Sequence, residues 1–263
     1  MTKDEGKHAF VECATFADDF KYNGGFYQKG WHFIDQPYLD EGGKISDYDF
    51  TADTHPITEA INGLVGWVGD LDQPKDSYIK TTVEGATKGP EEDAVSVAVR
   101  LLIHYVGDIH QPLHATSRVD HEYPKGDFGG NTVHLPAKDG VTNLHALWDS
   151  VGYEFSGYAK LPFTDSDWAL NGKRAEDLVQ RHPLSSIKVD VTNLDPQAWA
   201  DESFAVSEKF VYTGVVNDQA VPSGYAPEAV TLAEERIVVA GHRLANLIKK
   251  LNLGQAEQDP LFL

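Results

Sequence analysis

The stretch LLIHYVGDIHQPLH, from Leu101 to His114, constrains this chain more than any other. The residues leading into it, Ala94 to Ile103, are apolar except for Ser96 and Arg100. A helix over Glu91 to Gln111 therefore has no wet face and belongs in the interior. Yet it carries His104, Asp108 and His110, with His114 just beyond. An i, i+4 step turns about 40° around a helix, so His104 and Asp108 share one face. Pro112 removes an N–H and forces a kink or a stop, which can swing His114 back toward the same space. Imidazoles and a carboxylate inside an apolar helix must be paired with one another or must hold a metal.

Composition enters mainly through what it excludes. A chain of 263 residues, 41% hydrophobic, can bury a substantial core within one domain, taken here as residues 1–263. With 22 basic against 41 acidic residues the net charge is −19, which argues against a basic groove on duplex DNA. It leaves open an enzyme acting on phosphate esters, because bound metal ions can supply local positive charge. Cys13 is the single cysteine, so no internal disulfide and no multi-thiolate zinc site can form. No apolar run reaches transmembrane length, and MTKDEGKHAF has no signal-peptide core, so no membrane association and no export signal are expected.

Taken in order, the chain reads as mostly α, without repeats, low-complexity tracts or linkers. Helical spacing over His8–Lys21 puts Asp18 and Asp19 near a helix end, where negative charge opposes the dipole and hints at another task. KGWHFIDQPY reads as an extended or turn segment stopped by Pro37, and 39–53 as loop. Pro56, with Thr54 as a possible cap, opens a helix running to about Leu71. Residues 72–93 read as loop, and FGGNTVHLP is the fair short-strand candidate. Asn143 can cap a short helix to Tyr153. Further helices are expected over about Asp165–Gln180, Pro196–Tyr212 and Pro227–Leu251, the last with an apolar stripe at Ile237, Ala240, Leu244, Ile248 and Leu251.

His104–Asp108 and His145–Asp149 repeat one His-x-x-x-Asp spacing on separate helices. Among eleven histidines one such pair arises easily by chance, as a surface hydrogen bond. Two pairs, one inside an apolar helix and one beside Trp148, fit chance less well. Zinc suits imidazole with carboxylate, and a few protein ligands per ion leave positions for water or substrate. Ions held this way bind phosphate oxygens and lower the pKa of water. Residue pattern alone reaches a zinc hydrolase and stops there.

HYVGDIHQPLH, with FGGN and NLHALWD after it and FADDF and WHFID before it, resembles the single-strand-specific zinc nucleases and 3′-nucleotidases of fungi, plants and some protozoa. DPQAWADES and AGHRLANLI extend the resemblance over nearly the whole chain. The likeness implies an all-α, single-domain fold of the phospholipase C/nuclease kind, with long loops and at most a short hairpin. It also implies a zinc-dependent endonuclease that cuts single-stranded DNA and RNA to 5′-phosphate products and acts as a 3′-nucleotidase. An extracellular or lumenal setting and no stable protein partner go with it. By the same resemblance, Asp18, His32, His104 and Asp108 hold one zinc, with Asp108 bridging to a neighbour, and His114, His145 and Asp149 hold a second. Asp18 helps to orient the attacking water. Phe33 stacks on a nucleobase, Asp35 hydrogen-bonds it, and Asn131 contacts the phosphate.

The family pattern has three zinc ions, the third held by an N-terminal Trp and a His shortly after it. Here 17 residues precede Asp18, none is Trp, and His8 lies too near Asp18 to be that histidine. The expectation is a chain lacking its N-terminal segment, with ligands for two ions visible. Two alternatives stay open: a phospholipase C-like phosphodiesterase on the same fold, and a catalytically impaired zinc-binding fragment. Outside the motifs, His110 is expected in the core or behind a ligand, Trp148 as packing that stiffens the site, and Cys13 as a small buried residue.

Overall fold

A computed structural model describes residues 5–69, 77–157 and 160–251. The helices are α1 (Ala9–Glu12), α2 (Phe16–Lys21), α3 (Ile57–Val68), α4 (Tyr78–Ala86), α5 (Glu91–Asp108), α6 (Leu144–Asp149), α7 (Asp165–Arg181), α8 (Pro196–Val206) and α9 (Tyr225–Leu251). The strands are short: β1 (Gln36–Tyr38), β2 (Thr116–Arg118), β3 (His134–Lys138) and β4 (Val141–Asn143). The fold is all-α. No helix among the described residues is long and apolar enough to cross a membrane.

Two apolar clusters organise the chain, and α5 connects them. The first gathers Ile57, Ile61 and Leu64 of α3, Ile79 and Val83 of α4, and Leu101, Leu102 and Tyr105 of α5, with Trp31 and Trp199. The second gathers Leu113, Val133, Leu144, Leu147, Trp148, Val211, Tyr225 and Ala229. Ile109 belongs to the first and Leu113 to the second, so the turn after α5 crosses from one core to the other. Pro112 fixes that crossing: α5 stops at Asp108 and Pro112–His114 forms a single 3-10 turn, capped by the Gln111 side chain. Trp148 donates to the Tyr225 hydroxyl at 3.0 Å, and that hydroxyl donates to the Val211 carbonyl at 2.6 Å. This chain of bonds stiffens α6 against α9, the packing role expected of Trp148.

α3 and α4 approach so closely that a Cβ built on Gly63 would lie 2.8 Å from Ile79 Cβ. Gly63→Ala is therefore expected to lower stability by about 1–3 kcal/mol through overpacking, read by denaturant titration; an unchanged midpoint contradicts the close approach.

Several local expectations give way to what the structure contains. The N-terminal helix is broken by a 3-10 turn over Cys13–Thr15, so Asp18 and Asp19 stand in the first turn of α2, where the dipole favours them. The electrostatic hint drawn from a helix end was therefore misplaced. Within the segment read as extended or turn, Trp31 and His32 close a 3-10 helix, Phe26–His32, while Phe33 is extended and β1 follows. Thr54 caps nothing at the start of α3. Its N-cap is Pro56, and the Ile57 N–H donates to the Phe33 carbonyl at 2.8 Å. α4 lies inside a stretch expected to be loop, opened by Ser77, whose hydroxyl accepts from the Lys80 N–H. The expected end of α3 near Leu71 falls outside the described residues. β3 and β4 make the short hairpin, whereas β1 and β2 pair in parallel, Gln36 opposite Thr116.

Candidate metal centre

The expected ligands assemble in two groups, one on each apolar cluster. Asp18 of α2, His32 and His104 of α5 bring ligand atoms within 4.8 Å of one another, as do His114, His145 and Asp149 of α6. Both His-x-x-x-Asp pairs thus share a helix face as the spacing predicts: His104 Nε2 is 3.2 Å from Asp108 Oδ2, and His145 Nε2 is 3.4 Å from Asp149 Oδ2. Asp108 stands between the groups, its Oδ2 2.8 Å from His32 Nδ1 and 3.8 Å from His114 Nδ1.

Backbone carbonyls aim the imidazoles. Nδ1 of His104 contacts the Ala14 carbonyl at 2.6 Å, Nδ1 of His114 the His32 carbonyl at 2.8 Å, and Nδ1 of His145 the Gly129 carbonyl at 2.7 Å. Each such bond fixes the tautomer that carries hydrogen on Nδ1 and leaves the Nε2 lone pair for another partner. Gly129 makes one of these contacts possible: it has φ +61°, and a Cβ there would press to 2.4 Å from the Leu113 carbonyl oxygen. On the opposite side Gln111 donates to Asp149 Oδ1 at 2.9 Å, tying the crossing turn to α6.

The donor sets suit a metal on grounds internal to the structure. His104 Nε2 and His32 Nε2 are buried without a hydrogen-bond partner. His104 Nε2 lies near Asp108 Oδ2 and 3.8 Å from Asp18 Oδ2, yet neither contact is aligned as a hydrogen bond. Donors that crowd together without pointing at one another converge on a common third point. Imidazole with carboxylate is a set that zinc accepts well. The protons respond to the same crowding. Burial opposes a charge on His104, but Asp108 and then Asp18 outweigh it and raise its pKa to about 9. Burial works against the Asp108 carboxylate as well, and His104 and His114 hold it well below the usual carboxylate range.

The residues expected to meet substrate lie around one cleft of about 1020 Å³ that is also lined by Asp18, His32, Asp108, His114, His145 and Asp149. Phe33 stacks on the His114 ring, centroids 4.6 Å apart and nearly parallel. The parallel strand pair sets this up, since Ile34 N–H donates to the His114 carbonyl. Asp35 has φ +50°, and burial, then the charges of Asp53 and Asp127, push its carboxyl up to about 6. Asn131 lines the cleft and donates from Nδ2 to the Phe128 carbonyl. Asp53 and Lys21 also line it, although neither belongs to a motif in the sequence. Lys21 Nζ is 3.3 Å from Asp18 Oδ1, so the i, i+3 spacing from a candidate ligand was the signal available.

His110 serves the core. Arg243 Nη1 lies 3.0 Å from its Nε2, and a guanidinium can only donate, so Nε2 accepts. Its Nδ1–H then donates to the Val106 carbonyl at 2.7 Å. Burial, followed by the nearby charge of Arg236, keeps this ring well below its ordinary pKa.

A family model described as S1/P1 Nuclease matches residues 1–252. Nuclease S1 of Aspergillus oryzae is 24% identical over 251 residues, covering 92% of this chain and 79% of its own length. Endonuclease 1 of Arabidopsis thaliana is 27% identical over 238 residues, covering 86% of this chain and 70% of its own length. Endonuclease 4 of the same plant is 29% identical over 157 residues, and that match spans 50% of the relative.

Proposed function

The chain belongs to the S1/P1 nuclease family, and from that premise we propose that it is a zinc-dependent endonuclease cutting single-stranded DNA and RNA to 5′-phosphate products, and a 3′-nucleotidase. Membership makes the chain a hydrolase acting on nucleic acid. The observation that carries the finer reading is the convergence of Asp18, His32 and His104 around buried imidazole nitrogens that lack partners, with Asp108 beside them. Asp18, His32, His104 and Asp108 would hold one ion, and His114, His145 and Asp149 a second. Zinc in such sets acts as a Lewis acid toward phosphate oxygens and acidifies water.

The chain's own residues supply the rest. The side chain of Asp18 is 58% exposed and faces the cleft, so its carboxylate can accept a hydrogen bond from the attacking water and orient it in line with the leaving oxygen. Lys21, held beside Asp18, meets a phosphate oxygen with its ammonium. Asn131 reaches the same phosphate from the opposite loop. Phe33, its ring fixed by His114, offers a stacking face to a base, and Asp35 accepts from the base's edge. Water adds to phosphorus, the P–O3′ bond breaks, and the 3′ oxygen leaves with a proton. We place this activity in an extracellular or lumenal setting, which the family resemblance implies and an acidic surface suits.

The test is metal analysis of the purified chain, paired with assays on 3′-AMP, a single-stranded oligonucleotide and phosphatidylcholine. Bound zinc with chelator-sensitive release of phosphate from 3′-AMP and 5′-phosphate ends from the oligonucleotide is the expected outcome. Turnover of phosphatidylcholine alone would move the chain to the phospholipase reading, and no bound metal would remove the zinc assignment.

A further inference from the structure

Beside the cleft, the turn that joins α2 to the 3-10 helix Phe26–His32 carries two large aromatic rings in water. Tyr22 is 80% exposed and Phe26 is 65% exposed. Isolated apolar side chains on a surface need no explanation. These two differ because each has a lysine over it. Lys21 Nζ stands 5.3 Å from the Tyr22 ring centroid, and Lys29 Nζ stands 5.8 Å from that of Phe26. Both lysines line the cleft while the two rings lie beyond its lining, so the pairs lead outward from the metal groups. In a chain of net charge −19, lysines at the cleft mouth concentrate what cationic charge the protein can offer an anion there.

The turn is also built to hold its shape. Gly25 N–H and Asn23 N–H both donate to the Phe20 carbonyl, and Asn23 Nδ2 donates to the Asp19 carbonyl at 2.8 Å. Just beyond Phe26, Gln28 is fully buried, donating to the Ala17 carbonyl at 2.8 Å and accepting from the Tyr105 hydroxyl at 2.5 Å. Phe26 therefore projects from a segment anchored to α2 on one side and to α5 on the other. An exposed ring on a fixed backbone, next to a cation, is the arrangement that single-stranded nucleic acid uses: a base stacks on the ring and its phosphate meets the ammonium, whatever the base.

We infer that Phe26 with Lys29, continued by Tyr22, forms a second nucleotide subsite that grips single-stranded nucleic acid beyond the bond being cut. This rests on the nuclease reading for the identity of the ligand. The partner is a flexible strand with its bases unstacked, because a duplex turns its rings inward and offers the platform nothing. Asp18 partly neutralises Lys21, whereas Lys29 makes no ion pair among the described residues, so Lys29 contributes the freer charge.

The experiment uses the metal-loaded full chain with Phe26→Ala, Phe26→Trp and Lys29→Gln. Binding of a phosphorothioate oligothymidylate dodecamer is read by fluorescence anisotropy over a range of salt, and KM is measured for 3′-AMP. Phe26→Ala is expected to weaken dodecamer binding about tenfold, with Phe26→Trp close to the parent. Lys29→Gln is expected to weaken it too and to reduce the logarithmic salt slope by about 0.7. KM for 3′-AMP should stay unchanged in both Phe26 variants, since that ring lies beyond the lining of the cleft a mononucleotide occupies. Unchanged dodecamer affinity in Phe26→Ala and Lys29→Gln overturns the subsite, and so does an equal loss on dodecamer and 3′-AMP in Phe26→Ala. Because the dodecamer arm needs no cleavage, a wild-type chain that binds but does not cut would count against the catalytic reading alone.

Discussion

Asp108→Ala is expected to cost more than about a hundredfold in kcat/KM and to weaken metal binding at the Asp18 group, because it removes the one carboxylate that touches both sets of imidazoles. Outer partners of a metal ligand are already worth about 10–100-fold, and a side chain in the inner position should exceed that. The Asp108 oxygen sits 2.8 Å from His32 and 3.2 Å from His104, whereas Asp18 stands farther off, 3.8 Å from His104. Asp108→Asn separates charge from shape: it keeps the volume and should still lose most of the activity. Zinc content by elemental analysis, measured beside turnover, checks the cause. Wild-type activity with full metal content in Asp108→Ala would remove this residue from the centre.

The metal-free chain gives the same pair a pH signature. The raised pKa of His104 contributes stability that is complete below the ordinary imidazole range and is lost as pH rises through about 9. The depressed pKa of Asp108 contributes stability present above the ordinary carboxylate range and lost as pH falls toward its lowered value. Their joint contribution therefore spans mildly acid to neutral pH. Thermal melts of the apo chain should show Asp108→Asn penalised most near pH 6, progressively less as pH rises toward about 9, and least beyond it. A penalty of equal size at every pH would mean that the loss is one of packing.

How much of this was legible in the sequence depended on whether the cause was local. α5 was readable because its apolar run has no polar face, and the His-x-x-x-Asp spacing is a property of the helix itself. Asn143 as the cap of α6 was readable for the same reason, and its side chain accepts from the Ala146 N–H. The split of the N-terminal helix at Cys13–Thr15 was not, since nothing in CAT breaks a helical period. α4 was hidden because only Ile79 and Val83 of its nine residues are buried, too few to stand out of a polar stretch. The parallel pairing of Gln36–Tyr38 with Thr116–Arg118 joins segments eighty positions apart and leaves no local period. That pairing seats Phe33 on His114. The family resemblance put Phe33 and His114 in the site, but their stacking geometry came only from the fold. Asp53 was unreadable for a like reason: it enters the cleft from a polar loop that carries no motif.

Glu202→Ala should be the most damaging substitution outside the centre, lowering stability by about 3–5 kcal/mol, or about 6–20 °C in Tm for a chain of this size. Glu202 of α8 accepts from Arg243 Nη1 and Nη2, each at 2.7 Å, and from Arg236 Nη1 at 3.0 Å. Arg243 is wholly buried against Trp199, and Arg236 is nearly so. Taking away the carboxylate leaves two guanidinium groups in the interior without the acid that touches both, and a guanidinium cannot shed its proton to escape. The damage should reach the centre, because Arg236 also donates to the His110 carbonyl and Ser203 donates to the Ile109 carbonyl. Those two bonds satisfy the carbonyls freed where α5 ends, and so hold the crossing turn that carries His114. Glu202→Gln retains an acceptor for one arginine and should lose distinctly less. The decisive comparison is Tm and zinc content for both variants. A Tm within about 2 °C of the parent in Glu202→Ala would mean that water reaches the arginines. A large drop in Tm with zinc fully retained would mean that the network braces α8 against α9 without holding the turn.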